Sequence, residues 1–233
     1  NTGGIRSSHY SSATVQDRQS IISYVFFNGK ALTEKVGDLF DLFNELFSEY
    51  SFENSKRLIE IIRSAKADME DSIVPSGNHY VQSRLQSYHS RLGKFDELTD
   101  GITYYRFLEG LLEQVEKDPQ AVAHQFQKVA ERIFTKQNIL FNVTCEEKDY
   151  PKIEKRLNSL YDLLSDGKSE VEKWDFKAVS ENEGFLTASN VQHVGKGANL
   201  YEMGFKYSGQ FEVLKGLLRT GYLWDKVRVH GGA

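Results

Sequence analysis

Between Thr33 and Leu164 the sequence repeats a single pattern, in which apolar residues return every three or four positions. This spacing places the apolar side chains along one face of an α-helix, whose period is 3.6 residues. The region therefore predicts a series of amphipathic helices. We expect them over residues 33–50, 54–73, 78–92, 102–115, 118–134 and 151–164. Thr33 is a candidate N-cap, and Pro119 and Pro151 each suit a first helical turn.

Shorter runs on either side of this helical region favour strands. Residues 5–12 and 21–27 are predicted to be strands, the second because it is β-branched and aromatic, and Asn28-Gly29 marks the turn that follows. Further short strands are predicted over residues 139–144, 185–194, 199–207 and 226–230, with a helix over 210–219. The predicted fold class is therefore α+β and rich in helix.

The organisation of the chain changes after Leu164. Residues 166–183 are mostly charged and show little periodicity, which is typical of a linker between domains. We expect one domain over residues 1–165, a linker over 166–183 and the opening part of a second α+β domain over 184–233. The chain starts without Met and stops directly after a strand-like run, which we interpret as a piece of a larger protein.

Composition argues against several classes of partner. The net charge is −4 and both signs are interleaved, so no basic face is available for nucleic acid. The longest apolar stretch, around residues 21–27, is too short to cross a bilayer. Cys145 is the single cysteine, which excludes an internal disulfide, and we expect its thiol to be buried because free cysteines usually are.

No catalytic motif is present in the sequence. A zinc peptidase requires two His residues four positions apart on one helix, with a Glu nearby that activates water. No two of the six histidines have that spacing; they are His9, His79, His89, His124, His193 and His230. Phosphate-loop and G-x-S-x-G motifs are also absent. We therefore predict no metal ligand and no catalytic residue in this chain.

The most informative motif lies at the end of the chain, where the sequence reads Leu-Trp-Asp-Lys-Val-Arg-Val-His-Gly-Gly-Ala. In a strand over residues 226–230, the two valines would share one face and the three basic side chains the other. Gly231 and Gly232 would allow a sharp turn or a close approach to a ligand. On the residues alone, an edge strand with a solvated basic face is the simpler interpretation.

This motif resembles a signature in the last domain of the pitrilysin/insulysin-type zinc metallopeptidases, in their presequence protease and falcilysin subgroup. Residues 2–5, Thr-Gly-Gly-Ile, are similar to the Gly-Gly-Ile strand entry of that family. Residues 76–85 and 100–108 resemble its Ser-Gly-His…Arg-Leu and Gly-Leu…Leu helices. The resemblance covers nearly the whole chain, and its C-terminal motif is the most specific part.

The resemblance implies a metallopeptidase fold of the LuxS/pitrilysin-like type, in which an antiparallel sheet packs against helices. In such peptidases four related domains form the two halves of a closed chamber, and the first domain binds zinc. This chain would hold most of the third domain and the start of the fourth, so the zinc would be bound outside it. Arg228 matches an Arg that reaches the zinc site and binds substrate, with Gly231 and Gly232 beside it. The Tyr that accompanies this Arg in the family would follow Ala233 directly.

The implied function is therefore that of a full-length zinc-dependent endopeptidase that degrades unstructured oligopeptides. This chain would contribute chamber wall and the substrate-binding Arg228, and it would be inactive alone. Its implied partners are the N-terminal catalytic half of the same protein and unfolded peptides, without nucleic acid or membrane. The compartment would be the cytoplasm in a bacterium or an organelle matrix in a eukaryote. An unpaired strand edge would also promote self-association of the chain.

Two other functions stay open. The full-length protein would be a degenerate relative, acting as a scaffold or a peptide-binding protein, if no zinc-binding helix lies upstream. Alternatively, Phe40, Phe43 and Phe47 would form an exposed groove of a protein-interaction module. A core position is favoured for these three residues, because an apolar stripe on a helix usually faces a core.

Overall fold

The computed structural model describes residues 3–17, 19–167 and 182–231. The chain divides into two compact units, Asn1–Gly195 and Lys196–Ala233. The predicted domain ends at residues 165 and 184 remain predictions, and most of the predicted linker, 168–181, lies outside the described residues.

In its described part the first unit consists of an antiparallel hairpin followed by helices. The strands are β1 (Ile5–Ala13) and β2 (Ile21–Gly29), and the helices are α1 (Val36–Ser48), α2 (Ser55–Ile73), α3 (Gly77–His89), α4 (Arg91–Asp100), α5 (Ile102–Lys117), α6 (Pro119–Ile133) and α7 (Tyr150–Leu163). Short 3₁₀ turns, Thr33–Lys35 and Glu147–Asp149, precede α1 and α7. This order confirms the predicted helix-rich α+β class.

The hairpin packs against the helices through the inner face of β2. The strands pair from Ile5 opposite Gly29 to Ala13 opposite Ile21. The ring of Phe27 lies 5.5 Å from that of Phe47 on α1 and 5.8 Å from that of Phe134, measured between centroids. The Ser11 hydroxyl of β1 donates to Asp96 on α4 at 2.7 Å. The expected packing of an antiparallel sheet on helices is thus present, with two strands.

Side-chain caps fix the start of several helices. Asn54 accepts from the backbone N–H of Arg57 at 3.1 Å, and Asp118 accepts from that of Ala121 at 3.0 Å. Each cap satisfies a backbone donor that has no partner within its helix. The predicted cap at Thr33 is wrong, because Thr33 begins the 3₁₀ turn that precedes α1.

The predicted helix over residues 78–92 is in fact two helices. Ser90 adopts an extended conformation, with φ −152° and ψ 150°, and its hydroxyl accepts from the Gly93 N–H at 2.9 Å. Ser90 therefore ends α3 and caps α4. The sequence analysis missed α4, whose apolar periodicity is weak.

The apolar helix faces form two clusters of buried side chains. The first joins α2, α5 and α6, and the second joins α1, α7 and the residues around them. Their buried members are Leu58, Ile62, Leu111, Val115, Val122 and Ala123 in the first, and Phe40, Phe47, Ile153, Leu160 and Leu164 in the second. Phe43 is partly buried against the second cluster. The three phenylalanines of α1 are therefore core residues rather than an exposed groove.

The predicted strands beyond β2 are not formed in the described residues. Residues 139–144 and 185–194 have no strand pairing, and Cys145 is exposed, so the prediction of a buried thiol is wrong. In the second unit, α8 (Gln210–Leu217) is followed by π-helical turns at Leu218–Tyr222 and Trp224–Val229. No described residue of this unit is buried. A strand requires a neighbour for its backbone hydrogen bonds, whereas a helix satisfies them internally, which explains the difference.

Among the described residues, no helix combines the length and the apolar character needed to cross a membrane.

Candidate functional site

Arg228 lies in the helical turns of the second unit and not in a strand. The turn Trp224–Val229 ends where the His230 N–H donates to the Asp225 carbonyl at 2.9 Å. The predicted separation of valines and basic residues onto two faces is therefore wrong, because alternation requires extended backbone. Val227 and Val229 are both exposed.

The glycines beside Arg228 differ in what the structure describes. A Cβ on Gly231 would lie 2.5 Å from the Val227 carbonyl oxygen, so only glycine fits there without a shift. The expected close approach at Gly231 is thus to the preceding helical turn. Gly232 lies outside the described residues. The role of Arg228 in binding substrate stays a prediction.

Metal ligands are not gathered anywhere in the described ranges 3–17, 19–167 and 182–231. No three His, Cys, Asp or Glu side chains come close enough there to hold an ion. The described histidines, moreover, are spread over several elements, with His9 on β1, His79 on α3 and His124 on α6. These residues do not fit a zinc site.

The strongest polar cluster is one that the sequence analysis did not predict, and it is built around Glu97 on α4. The Glu97 side chain is fully buried. Its Oε1 accepts from the backbone N–H and the hydroxyl of Thr103, both at 3.1 Å, and from Arg84 at 3.1 Å. Thr103 lies in the first turn of α5, where unpaired N–H groups and the helix dipole favour a negative charge. The carboxylate thus joins α3, α4 and α5.

Arg84 extends from this cluster towards a second carboxylate. Its Nε lies 2.6 Å from Glu183 Oε2 and its second terminal nitrogen lies 2.8 Å from Glu183 Oε1, which is a bidentate pair. The Tyr88 hydroxyl also donates to Glu183. The guanidinium lies over the rings of Tyr88 and Phe185, at 5.4 and 5.9 Å from their centroids. The same arginine therefore binds one buried and one peripheral carboxylate.

The electrostatics of this pair are strongly coupled. Hydrogen bonding from Arg84, aided by Tyr88 and by the charge of Arg106, lowers the pKa of Glu183 to about 2. Hydrogen bonding to Glu183 correspondingly raises the pKa of Arg84. Both groups are therefore charged throughout the neutral range. The arrangement holds a carboxylate firmly but offers no proton donor or nucleophile for catalysis.

Little in the sequence could have revealed this cluster. Arg84 and Tyr88 lie four residues apart on α3, a spacing that brings side chains together on one helix face. Glu97 and Glu183, however, are 13 and 99 residues from Arg84 along the chain. Glu183 also fell within the predicted linker, where a charged side chain is ordinarily solvated.

Family models match both ends of the chain. A model of the region associated with the subfamily-16C peptidases matches residues 1–111, and the "PreP C-terminal domain" matches residues 182–233. The structural units divide the chain elsewhere, since residues 182–195 belong to the first unit. The first part of the PreP C-terminal domain therefore packs with the helices.

The chain is also similar to curated proteins along its full length. It is 32% identical over 232 residues to "Protein HypA" of Clostridium perfringens, a match that covers 100% of the chain and 24% of that protein. It is 28% identical over 233 residues to "Presequence protease 1, chloroplastic/mitochondrial" of Arabidopsis thaliana, covering 100% of the chain and 22% of that protein. The mitochondrial presequence protease of Yarrowia lipolytica is 29% identical over 146 residues, which is 62% of the chain and 15% of that protein.

The chain spans about a quarter of the length of the first two relatives. The two family regions and the relatives agree with the resemblance of the C-terminal motif and of the helices over residues 76–108. The chain belongs to the subfamily-16C peptidases, in the group of the presequence proteases.

Proposed function

We propose that this chain is a non-catalytic C-terminal part of a zinc-dependent endopeptidase that degrades unstructured oligopeptides in a closed chamber. The observation that carries the proposal is the match of both family regions, one of them the PreP C-terminal domain, to a chain without catalytic motifs. Zinc would supply an activated water in the full-length protein. The described residues do not fit a zinc site, so no chemical step is assigned to them.

The chain contributes chamber wall and one substrate contact in this proposal. Its domains are of the LuxS/pitrilysin-like type, and the N-terminal catalytic half of the same protein is their partner. Arg228 binds the peptide, because its planar guanidinium offers several N–H donors to a carbonyl or a developing oxyanion. The compartment is the cytoplasm for a bacterial protein and an organelle matrix for a eukaryotic one, as in the relatives named mitochondrial.

The proposal is tested in the full-length protein by comparing Arg228→Ala with Lys226→Ala in hydrolysis of an unstructured peptide. We expect Arg228→Ala to lower kcat/KM by about 10²-fold, as for loss of one oxyanion donor, and Lys226→Ala to leave it unchanged. Equal activity of wild type and Arg228→Ala would exclude the role of Arg228.

Two further measurements separate this proposal from its alternative. The isolated chain is expected to hydrolyse nothing, so cleavage by it that a chelator abolishes would contradict the proposal. A full-length protein that contains no zinc and cleaves no peptide would identify the degenerate, non-enzymatic relative.

A further inference from the structure

Residues 182–195, the docking segment, run over the helical face of the first unit without regular structure of their own. Their contacts are specific. The Glu183 side chain is only 25% exposed and is held by Arg84 and Tyr88. The Phe185 ring lies 5.9 Å from the Arg84 guanidinium and 5.7 Å from that of Arg106, so it packs against both cations.

The other end of the docking segment is fixed by close backbone contacts with α3. A Cβ on Gly77 would lie 2.9 Å from His193 Nε2, so the imidazole lies directly on the helix backbone. A Cβ on Gly195 would lie 2.5 Å from Val81 and 2.6 Å from Leu85. Contacts at both ends therefore hold the segment along α3.

The receiving surface is organised before the segment binds it. Arg84 is anchored by the fully buried Glu97 and by the Thr103 hydroxyl at 3.1 Å, so its guanidinium is oriented independently of Glu183. Orienting a side chain in advance reduces the entropy lost when a ligand binds. Arg84 and Arg106 carry two positive charges here, and Glu97 neutralises one of them. The surface without its occupant therefore has an excess positive charge that suits an anion.

We propose that the α3–α5 surface around Arg84 is a binding site for a peptide segment with a carboxylate followed two residues later by an aromatic ring, and that residues 182–195 of this chain are its occupant. Glu183 supplies the carboxylate and Phe185 the ring. Glu97 is a positioning residue, because it acts only through Arg84. The site fixes the place where the chain leaves the first unit, at Gly195.

Chymotryptic cleavage at the Phe185–Leu186 bond of the folded chain tests this proposal. Cleavage requires the Phe185 ring to leave the two guanidinium groups, and under mild digestion its rate follows the population of the undocked state. Glu183→Gln keeps the shape of the side chain but removes its charge. We expect it to raise the cleavage rate at least about tenfold, since charge-assisted bidentate pairs are the strong ones. Val194→Ala, a change at a side chain that is 91% exposed, is the matched control and is expected to change nothing.

A double-mutant cycle with Arg84→Lys identifies the partner of Glu183. Lys keeps the positive charge beside Glu97 but lacks the fork that binds two oxygens, so the chain is expected to stay folded. If Arg84 and Glu183 act together, the double variant is cleaved no faster than the faster single variant. Synthetic peptides of residues 180–190 with Glu or Gln at position 183 correct for the preference of the protease. The proposal is overturned if wild type and Glu183→Gln are cleaved equally fast, or if the effects of the two substitutions simply multiply.

Discussion

Oε1 of the fully buried Glu97 lies 3.1 Å from a terminal nitrogen of Arg84, although 13 residues separate the two along the chain. The surroundings compensate for the desolvation of this charge, because Thr103 donates twice to the same oxygen. The pair therefore holds α3 against the start of α5, and it orients the guanidinium for Glu183.

Removing Glu97 is expected to destabilise the chain strongly. Glu97→Ala leaves the Arg84 guanidinium without its buried partner, and breaking a buried pair from one side costs about 3–5 kcal/mol. The free energy of unfolding, measured in urea, checks this value. The control is Glu116→Ala, which removes the exposed pair with Arg63 at 2.6 Å and should cost at most about 1 kcal/mol. Equal losses in the two variants would contradict the assigned role of Glu97.

Two glycines near α5 are expected to respond in opposite directions to substitution by alanine. A Cβ on Gly101 would clash with the Glu97 carboxylate and would lie 2.8 Å from its Cα, so Gly101→Ala should destabilise by about 1–3 kcal/mol. Gly110 lies inside α5 and a Cβ there would meet nothing within 4 Å, so Gly110→Ala should stabilise by about 0.5–1 kcal/mol. Thermal unfolding of both variants measures the two signs. A stabilising Gly101→Ala would show that Glu97 is less confined than the structure indicates.

The helices of the first unit could be predicted because their signals are local. On α1, Phe40 and Phe47 follow the helical period and both are buried, and at α6 the pair Asp118-Pro119 marks a helix start. Such signals depend on residues three or four positions apart. The fold class followed from them, whereas the break at Ser90 did not, because a serine at one position can either cap a helix or lie within one.

The Arg84 site could not be predicted, because its members are far apart in sequence. Nothing local distinguishes Glu183 from a solvated charge, and only the fold brings it to Arg84. The strand predicted over residues 226–230 failed for a related reason. Its alternating pattern was real, but a strand depends on a partner, and the described residues of the second unit supply none.

The hairpin is expected to make the isolated chain self-associate. The outward face of its strands carries Tyr10, Tyr24 and Phe26, which are 55, 50 and 44% exposed. In the described residues neither strand has a second neighbour, and unpaired edges recruit other chains. Sedimentation velocity should show larger species as concentration rises from low micromolar towards millimolar, and fewer of them for Phe26→Lys. Leu140→Lys, at another exposed position, controls for the added charge. A wild-type chain that stays monomeric at the highest concentration would contradict this expectation.

The attachment of the docking segment should depend on pH only in strongly acidic solution. The pKa of Glu183 falls from its ordinary value of 4.5 to about 2 when Arg84 binds it. Because the docked form keeps its charge at lower pH than the free form, docking is fully favoured above pH 4.5 and weakens as pH falls towards 2. Arg84 and Arg106 stay cationic across this window, so Glu183 accounts for the change. Carboxyl ¹³C NMR of labelled glutamate measures the midpoint directly, and Glu183→Gln assigns the resonance. In Arg84→Lys the midpoint should move up towards the ordinary value, whereas an ordinary midpoint in the wild-type chain would show that the bidentate pair does not persist in solution.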